Sequence, residues 1–387
     1  MSDAHPPFAP TDCVNTQDRS GEHASLADDL FKLATRSKGA RTPALSYAVM
    51  TTDGLAAWGS AGTADLQHNR DASVDDQFPW FSMTKIATAT AAMRLSSTGH
   101  IDLNAPIGTY LGERNWGRHG APTLLQLLTH TAGLGNPIPI RWVRPLGQPP
   151  NPQLVSSVVR RHGRPRRAPG GRAAYSNIGY LLAGQVLEAA TGTPVEQTIT
   201  DVVLRPLGMS RTSFTFDLNR PRATGYVRTP RPLRPLLSRV LPHDVVGPQI
   251  DGYTSFRPFL VEGPAYGGLV GPAADAARLA LAHLPRRALD APVGPLGDLT
   301  AMSQIQYPGK PFDHGIGWFR KPGDAARSPV FVEHYGTGGG FWNAMRIYPG
   351  LGVAVVGMTN NTSAWPFDDF FTAVVRLITS RTPSHLS

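Results

Sequence analysis

The sequence predicts an α+β chain: an antiparallel sheet assembled from both ends, with a helical region inserted between its halves. Three observations carry this expectation. Residues 44–66 and 315–358 read as short strands separated by turn residues. Residues from about 85 to 284 instead repeat apolar side chains mainly at helical spacing. The order, strands at both ends and helices in the middle, suits one sheet to which both termini contribute.

Taken in order, Ser25 to Lys38 has a serine start, early acids and late bases around helical apolar spacing, and predicts the first helix. Ala44 to Thr51 and Leu55 to Gly59 flank Thr52-Asp53-Gly54 and predict a hairpin, with a third strand through Gly62 to Leu66. From Phe81-Ser82-Met83-Thr84-Lys85 a helix runs to about Leu95. Leu124 to Leu128 is a short apolar helix that ends in Thr129-His130-Thr131-Ala132-Gly133-Leu134. After a Pro-rich stretch, helices are expected at Asn151 to Arg161, Asn177 to Ala190 and Val195 to Leu204, the last closed by Pro206-Leu207-Gly208.

Residues 211–264 hold many prolines and no strong period, and read as a long ordered loop or lid. Ala273 to Leu284 is helical. Strands follow at Gly315 to Phe319, Val330 to His334, Phe341 to Tyr348 and Gly352 to Met358, and a helix spans about Phe367 to Ser380. The expected division is a flexible tail over 1–24 and one folded unit over 25–387. Its sheet lobe takes about 25–80 and 285–387, and its helical lobe about 85–284.

Composition narrows the function classes. The 387 residues are 41% hydrophobic, enough to bury a sizeable core, and 40 glycines with 36 prolines indicate a loop-rich globular protein. The net charge is +9, and arginines cluster in two Pro-interrupted stretches, Arg160 to Arg172 and Arg228 to Arg239. No nucleic-acid-binding motif accompanies them, so solvated loops are expected there and no nucleic-acid partner. The lone Cys13 excludes an intramolecular disulfide. Residues 1–24 lack the basic and apolar regions of a secretory signal, and no apolar run reaches membrane-spanning length, so a cytoplasmic location is expected.

Ser82 and Lys85 stand three positions apart at the mouth of a helix, on one face, so hydroxyl and ammonium are neighbours. There the helix dipole and unpaired backbone N–H groups favour negative charge, which suits an alkoxide. Alone, such a pair is common, and a capping serine beside a solvated lysine is its ordinary meaning. It gains weight when a Tyr or Ser followed one residue on by Asn, and then a basic-x-Gly strand, come after it in order. Here these are Tyr175-Ser176-Asn177, after Pro169-Gly170, and His334-Tyr335-Gly336, before Thr337-Gly338-Gly339-Gly340-Phe341.

With these motifs the chain resembles the serine β-lactamase and penicillin-binding superfamily. Its branch is that of the class C enzymes, with AmpC-type β-lactamases, DD-peptidases, D-aminopeptidases and family VIII esterases. The likeness runs from about residue 25 to 380, and also includes Leu128 to Leu134, Pro206-Leu207-Gly208-Met209, Gly267-Gly268-Leu269 with Asp275, and Gly315-Ile316-Gly317-Trp318. It implies an antiparallel sheet flanked by helices plus an inserted all-helical lobe, with the active site between them.

The resemblance implies an acyl-enzyme on Ser82, with Lys85 and Tyr175 sharing the activation of its hydroxyl; which of them is the base is left open. Asn177 is expected to hydrogen-bond Lys85 or a substrate amide, or to cap its helix. Backbone N–H groups of Ser82 and Thr337 are implied as the oxyanion hole, with Gly336 and the glycines after it allowing close approach. No metal and no cofactor is implied. His130 is expected to be structural.

Two positions depart from the family pattern. His334 replaces a lysine that helps bind a substrate carboxylate in lactamases and many DD-peptidases; a neutral histidine is a poorer anchor, though it can still donate a hydrogen bond. Tyr335 replaces a small residue and is expected to narrow or re-aim the pocket. The leading expectation is therefore an esterase acting on small or medium acyl esters. The alternatives are a peptidase or lactamase-type amide hydrolase, or a non-catalytic binding protein that retains the fold. The partner expected is a small ester or amide; the sequence leaves the oligomeric state open.

Overall fold

The computed structural model describes residues 21–38, 42–54, 56–112, 114–139, 142–229, 241, 244–285, 296–362 and 365–380. Most of the expected tail, residues 1–20, and the leucine-rich part of the 211–264 stretch at 230–240 lie outside the described residues. Helix α1 (Gly21–Lys38) begins four residues before the expected serine start.

The main sheet is antiparallel and joins both ends of the chain, as the sequence predicts. Its N-terminal strands are β1 (Ala44–Thr51), β2 (Ala56–Asp65) and the short β3 (Arg70–Asp71). Outside the main sheet lie β4 (Phe78–Pro79), just before the inserted region, and within that region β5 (Val143–Pro145), β6 (Gly225–Arg228), β7 (Val246–Ile250), β8 (Tyr253–Phe256), β9 (Phe259–Val261) and β10 (Val270–Gly271). The C-terminal strands are β11 (Asp313–His314), β12 (Phe319–Arg320), β13 (Val332–Gly338), β14 (Phe341–Tyr348) and β15 (Val353–Thr359). The strand order is β11-β12-β13-β14-β15-β1-β2-β3, so β1 lies against β15 in the middle.

Side chains of β1 and β15 alternate between two cores, as strand geometry requires. Ala48, Met50, Val356 and Met358 face the larger core beneath the inserted helices. Leu45, Tyr47, Val49, Val353 and Val355 face a second core closed by α1 and the C-terminal helix Phe367–Thr379, through Leu30, Ala34, Phe370, Phe371 and Val374. Burial on both faces explains why these strands read as continuous apolar runs rather than alternating ones.

Several boundaries differ from the expectation, and glycine explains most of them. Gly59 and Gly62 suggested a break, yet β2 runs through both. Gly59 pairs with Tyr47, and a Cβ there would stand 2.4 Å from the Tyr47 hydroxyl, so glycine marks a close approach rather than a turn. The expected strand Gly315 to Phe319 is instead a hairpin of β11 and β12, because Gly317 turns at φ +79° and packs against Ile86 and Ala89. Strand β13 continues past His334 through Gly338.

The inserted region is built around α2 (Thr84–Ser97), with α3 (Gly108–Leu111), α4 (Leu124–Leu128), α5 (Pro152–His162), α6 (Asn177–Thr191) and α7 (Val195–Ile199). It is not wholly helical. The described residues between 211 and 264 include a three-stranded sheet, β6-β8-β7, and β9, which pairs with β5. Tyr226 fixes this sheet to the main one by donating its N–H to the carbonyls of Gly340 and Asn360, both at 3.1 Å. The described residues of this stretch thus include strands docked on the main sheet, where the sequence reads as a long ordered loop or lid.

Candidate active site

Ser82 sits on a single 3-10 turn, Phe81–Met83, that feeds into α2. The helix N-cap is Met83 and no side chain caps it, so Ser82 is not the cap its position allowed. The turn is held on both sides. Trp80 donates its N–H to Leu269 O (2.8 Å), and its indole N–H to Gly271 O (3.2 Å). Asn343 on β14 donates from Nδ2 to Pro79 O (2.7 Å). Between these anchors Phe81 adopts φ +47°, a left-handed conformation that costs a non-glycine residue roughly 1–3 kcal/mol and presents Ser82 at the tip.

Three of the expected residues meet at one oxygen. Lys85 Nζ donates to Ser82 Oγ at 3.0 Å, and Tyr175 Oη donates to the same atom at 2.7 Å. Ser82 and Tyr175 are partly open to solvent while Lys85 is fully buried, so the cleft exposes the hydroxyl and hides the amine. Lys85 also donates to Tyr266 O (3.0 Å), and its nitrogen lies 4.9, 5.5 and 5.2 Å from the ring centres of Tyr175, Tyr180 and Tyr266. No carboxylate pairs with it among the described residues. Desolvation holds its ammonium well below the usual lysine range. Burial pushes the Tyr175 phenol the other way, above its ordinary value, against the opposing hydrogen bond to Ser82.

Three histidines surround Tyr175, with ring centres 4.6 Å (His130), 6.5 Å (His314) and 6.3 Å (His334) away. Burial, reinforced by the neighbouring imidazoles and Lys85, keeps His130 well below its usual pKa. Burial pushes His314 down to about 4. His130 Nδ1 accepts the Ser176 N–H (3.1 Å), which fixes the chain carrying Tyr175 and agrees with the structural role expected of it.

His334 differs from the expectation in one respect. Its Nδ1 lies 2.9 Å from Tyr335 O; a carbonyl only accepts, so Nδ1 carries the hydrogen. Burial first, and then nearby Lys85, hold the ring neutral, so Nε2 is left as an acceptor rather than the spare donor foreseen. The expectation for Tyr335 is overturned. It faces the second core, with its ring 5.6 Å from Phe367 and 4.8 Å from Phe319, and does not narrow the cleft. Adjacent strand residues point to opposite faces, and His334 takes the inner one.

Gly336 shares the inner face. A Cβ there would stand 1.9 Å from Trp80 O, so only glycine lets β13 lie against the Ser82 turn. Beyond Glu333, the last β13 residue paired with β12, the outer edge of β13 has no strand neighbour among the described residues. Thr337 sits on that free edge, with its hydroxyl turned back to Phe341 O (3.2 Å). The docked insertion supplies a wall: the Phe259 ring lies 6.1 Å from that of Phe81 and fills the space beside Gly339.

Asn177 is the first residue of α6, and the cap is Ser176, whose Oγ accepts the Gly179 N–H. Asn177 donates its backbone N–H to Asn136 Oδ1 (2.9 Å), and its own Oδ1 is buried without a hydrogen-bond partner among the described residues. Sequence reasoning missed two contributors. His314 directly precedes the Gly315-Ile316-Gly317-Trp318 motif and could have been read with it. Tyr266 acts on Lys85 through a backbone carbonyl, which no residue type announces.

Comparison with known proteins places these observations among relatives. The profile of the Beta-lactamase family matches residues 31–376. The chain is 32% identical over 143 residues to the D-alanyl-D-alanine-carboxypeptidase/endopeptidase AmpH of Escherichia coli (strain K12), which is 35% of this chain and 36% of AmpH. It is 31% identical over 178 residues to Esterase EstB of Burkholderia gladioli, covering 40% and 42% of the two chains. The matched stretches thus span about half or less of these curated relatives. Among solved structures, the D-amino acid amidase from Ochrobactrum anthropi SV3 superposes with a TM-score of 0.72 at 21% identity, over 92% of this chain and 99% of that one.

Proposed function

Since the chain belongs to the Beta-lactamase family, we propose that it is a serine hydrolase that forms an acyl-enzyme on Ser82 and acts on esters of small or medium acyl groups. The observation that carries this reading is the convergence of Lys85 Nζ (3.0 Å) and Tyr175 Oη (2.7 Å) on the partly exposed Ser82 Oγ. A serine hydroxyl needs a neighbouring base to become a nucleophile. Lys85 suits the task, because burial without a carboxylate favours its neutral amine, whereas desolvation disfavours a Tyr175 phenolate.

In this mechanism the Ser82 proton passes to Lys85 as Oγ attacks the carbonyl carbon. The ammonium so formed is received by the faces of Tyr175, Tyr180 and Tyr266 and by Tyr266 O. The backbone N–H groups of Ser82 and Thr337 take the developing oxyanion, at the place where Gly336 brings β13 against the Ser82 turn. Tyr175 relays the proton to the leaving oxygen, and water then attacks the acyl-enzyme by the same route in reverse. Asn177, with its unpartnered Oδ1, is the side chain available to a substrate N–H.

Esters take precedence over carboxylate-bearing amides because His334 presents a neutral acceptor where a carboxylate would need a cation. The amide reading draws support from the likeness to the D-amino acid amidase, since Tyr175 can protonate an amine as readily as an alkoxide. Replacing Ser82 with Ala should abolish hydrolysis of p-nitrophenyl butyrate and labelling by a fluorophosphonate. Undiminished turnover in that variant would sink the reading, and absence of labelling in the wild type would point to a binding protein. Rates on D-amino-acid amides and nitrocefin, compared with short-chain esters, separate the two enzyme readings.

A further inference from the structure

Positive charge is unevenly placed along this chain. Between Arg114 and Leu187 there are ten arginines and neither Asp nor Glu, so this stretch supplies the whole of the +9 surplus and the remainder is near balance. Arg144 is held 3.5 Å from Glu262. Arg160, Arg161, Arg164, Arg166, Arg167 and Arg172 are exposed, and none of the six forms an ion pair among the described residues. A face that served solubility alone would intersperse both signs; a field of one sign steers a charged partner.

The backbone sets this field beside the candidate site. Arg166 donates its N–H to Gly133 O (2.9 Å), and its guanidinium lies against Gly135, where a Cβ would stand 3.0 Å from Cζ. Gly135 O accepts the Ser176 hydroxyl (2.8 Å), and the next residue, Asn136, takes the Asn177 N–H. Arg172 donates to Gly309 O (3.4 Å), Gly309 donates its N–H to Asp313 Oδ1 (2.9 Å), the one carboxylate seen at this loop among the described residues, and Gly309 bridges to Ala173, two residues before Tyr175. Both guanidinium groups therefore rest on loops that hold the segment carrying Tyr175. Inside the cleft the situation is reversed: Lys85 is engaged with Ser82, and His130, His314 and His334 are uncharged. Among the described residues, an anion on the substrate finds cations at the rim, while Lys85 within is already engaged.

We propose that Arg166 and Arg172, with the exposed Arg167 next to Arg166 in the chain, form a rim that captures anionic esters, in which a carboxylate or similar fixed negative group is joined by a flexible spacer to the reacting carbonyl. The planar guanidinium fork suits carboxylate geometry. The proposal rests on the hydrolase reading for the fate of the captured molecule; the capture does not.

The test uses the full chain and two probes, mono-p-nitrophenyl adipate, which is anionic, and its neutral methyl ester. At low salt the anionic probe should be favoured about 10-fold in kcat/KM, an advantage that fades at high salt. Arg166→Gln, Arg167→Gln and Arg172→Gln together should bring the ratio of the two probes close to one, and the corresponding lysine variants should restore most of it. Calorimetry on the Ser82→Ala variant, with monomethyl adipate against dimethyl adipate, reads capture without turnover. Preferential binding of the monoanion, lost with the three arginines, upholds the rim even if neither nitrophenyl ester is hydrolysed. Equal treatment of the two probes in turnover and in binding overturns the rim and leaves the Ser82 reading standing. Arginine-dependent binding to phosphatidylglycerol vesicles, without preference between the esters, would make the patch a membrane-docking surface and also overturn it.

Discussion

Lys85→Met is the perturbation that separates activation of Ser82 from ordinary packing. Methionine keeps the unbranched shape and removes the one nitrogen that touches Ser82 Oγ (3.0 Å) and Tyr266 O (3.0 Å). Loss of a positioned general base costs roughly 100- to 10,000-fold in rate. Stability should move the other way or hardly at all. The folded state disfavours the ammonium through burial, whereas the unfolded chain keeps an ordinary lysine. Between the depressed folded value and the ordinary one, the unfolded state binds more protons, so native stability rises with pH across that window. Each unit of depression corresponds to about 1.4 kcal/mol, a penalty near neutrality that methionine does not carry. The loss of the bond to Tyr266 O offsets about 1 kcal/mol of this gain. The assays are kcat/KM on p-nitrophenyl butyrate and urea melts at pH 7 and pH 9. The expected result is a variant at least as stable as the wild type at pH 7, with a flatter pH dependence and activity down by two orders of magnitude or more. A variant that retains a tenth of the wild-type kcat/KM would refute the assignment of Lys85 as the base.

Gly336→Ala puts a methyl group where Trp80 O stands 1.9 Å away. Strand and Ser82 turn must part, which should lower kcat about 100-fold, comparable to losing one oxyanion donor, as read by steady-state kinetics. Tyr335→Phe, on the opposite face of the same strand, should leave kcat/KM within about twofold, while Tyr335→Ala should cost about 3 kcal/mol in a urea melt through lost packing on Phe367 and Phe319. In acid, the histidine cluster sets the trend: with His314 near 4 when folded and near 6.5 when unfolded, the unfolded chain takes up the proton first. Stability is then fully present above about pH 6.5 and lost as pH falls toward 4, by up to about 3 kcal/mol for this residue. His314→Gln should flatten that slope in urea melts between pH 7 and 4.

By itself the sequence determined the class of fold and singled out the candidate site residues. Apolar periodicity separates strand from helix locally, and the glycine, serine, lysine and tyrosine motifs keep their order whatever the packing. That Ser82 and Lys85 share one helix face, with Tyr175 as a candidate partner by resemblance, was therefore legible before any coordinate; their convergence on one oxygen is what the structure adds. Only the tertiary structure decided which way adjacent side chains face and which backbone groups they meet. A one-residue step along β13 turns His334 inward and Tyr335 outward, so a substitution expected to reshape the pocket packs instead against Phe367. The Tyr266 carbonyl that holds Lys85, and the Tyr335 carbonyl that makes His334 Nε2 an acceptor, belong to the backbone, and side-chain identity does not encode them. Gly59 and Gly336 show the same limit: a glycine that permits a turn and one that permits close contact look alike in one dimension. The arginines from Arg160 to Arg172 were visible as charge alone; the folding of Arg166 onto Gly135 and of Arg172 onto Gly309 places that charge beside the candidate site.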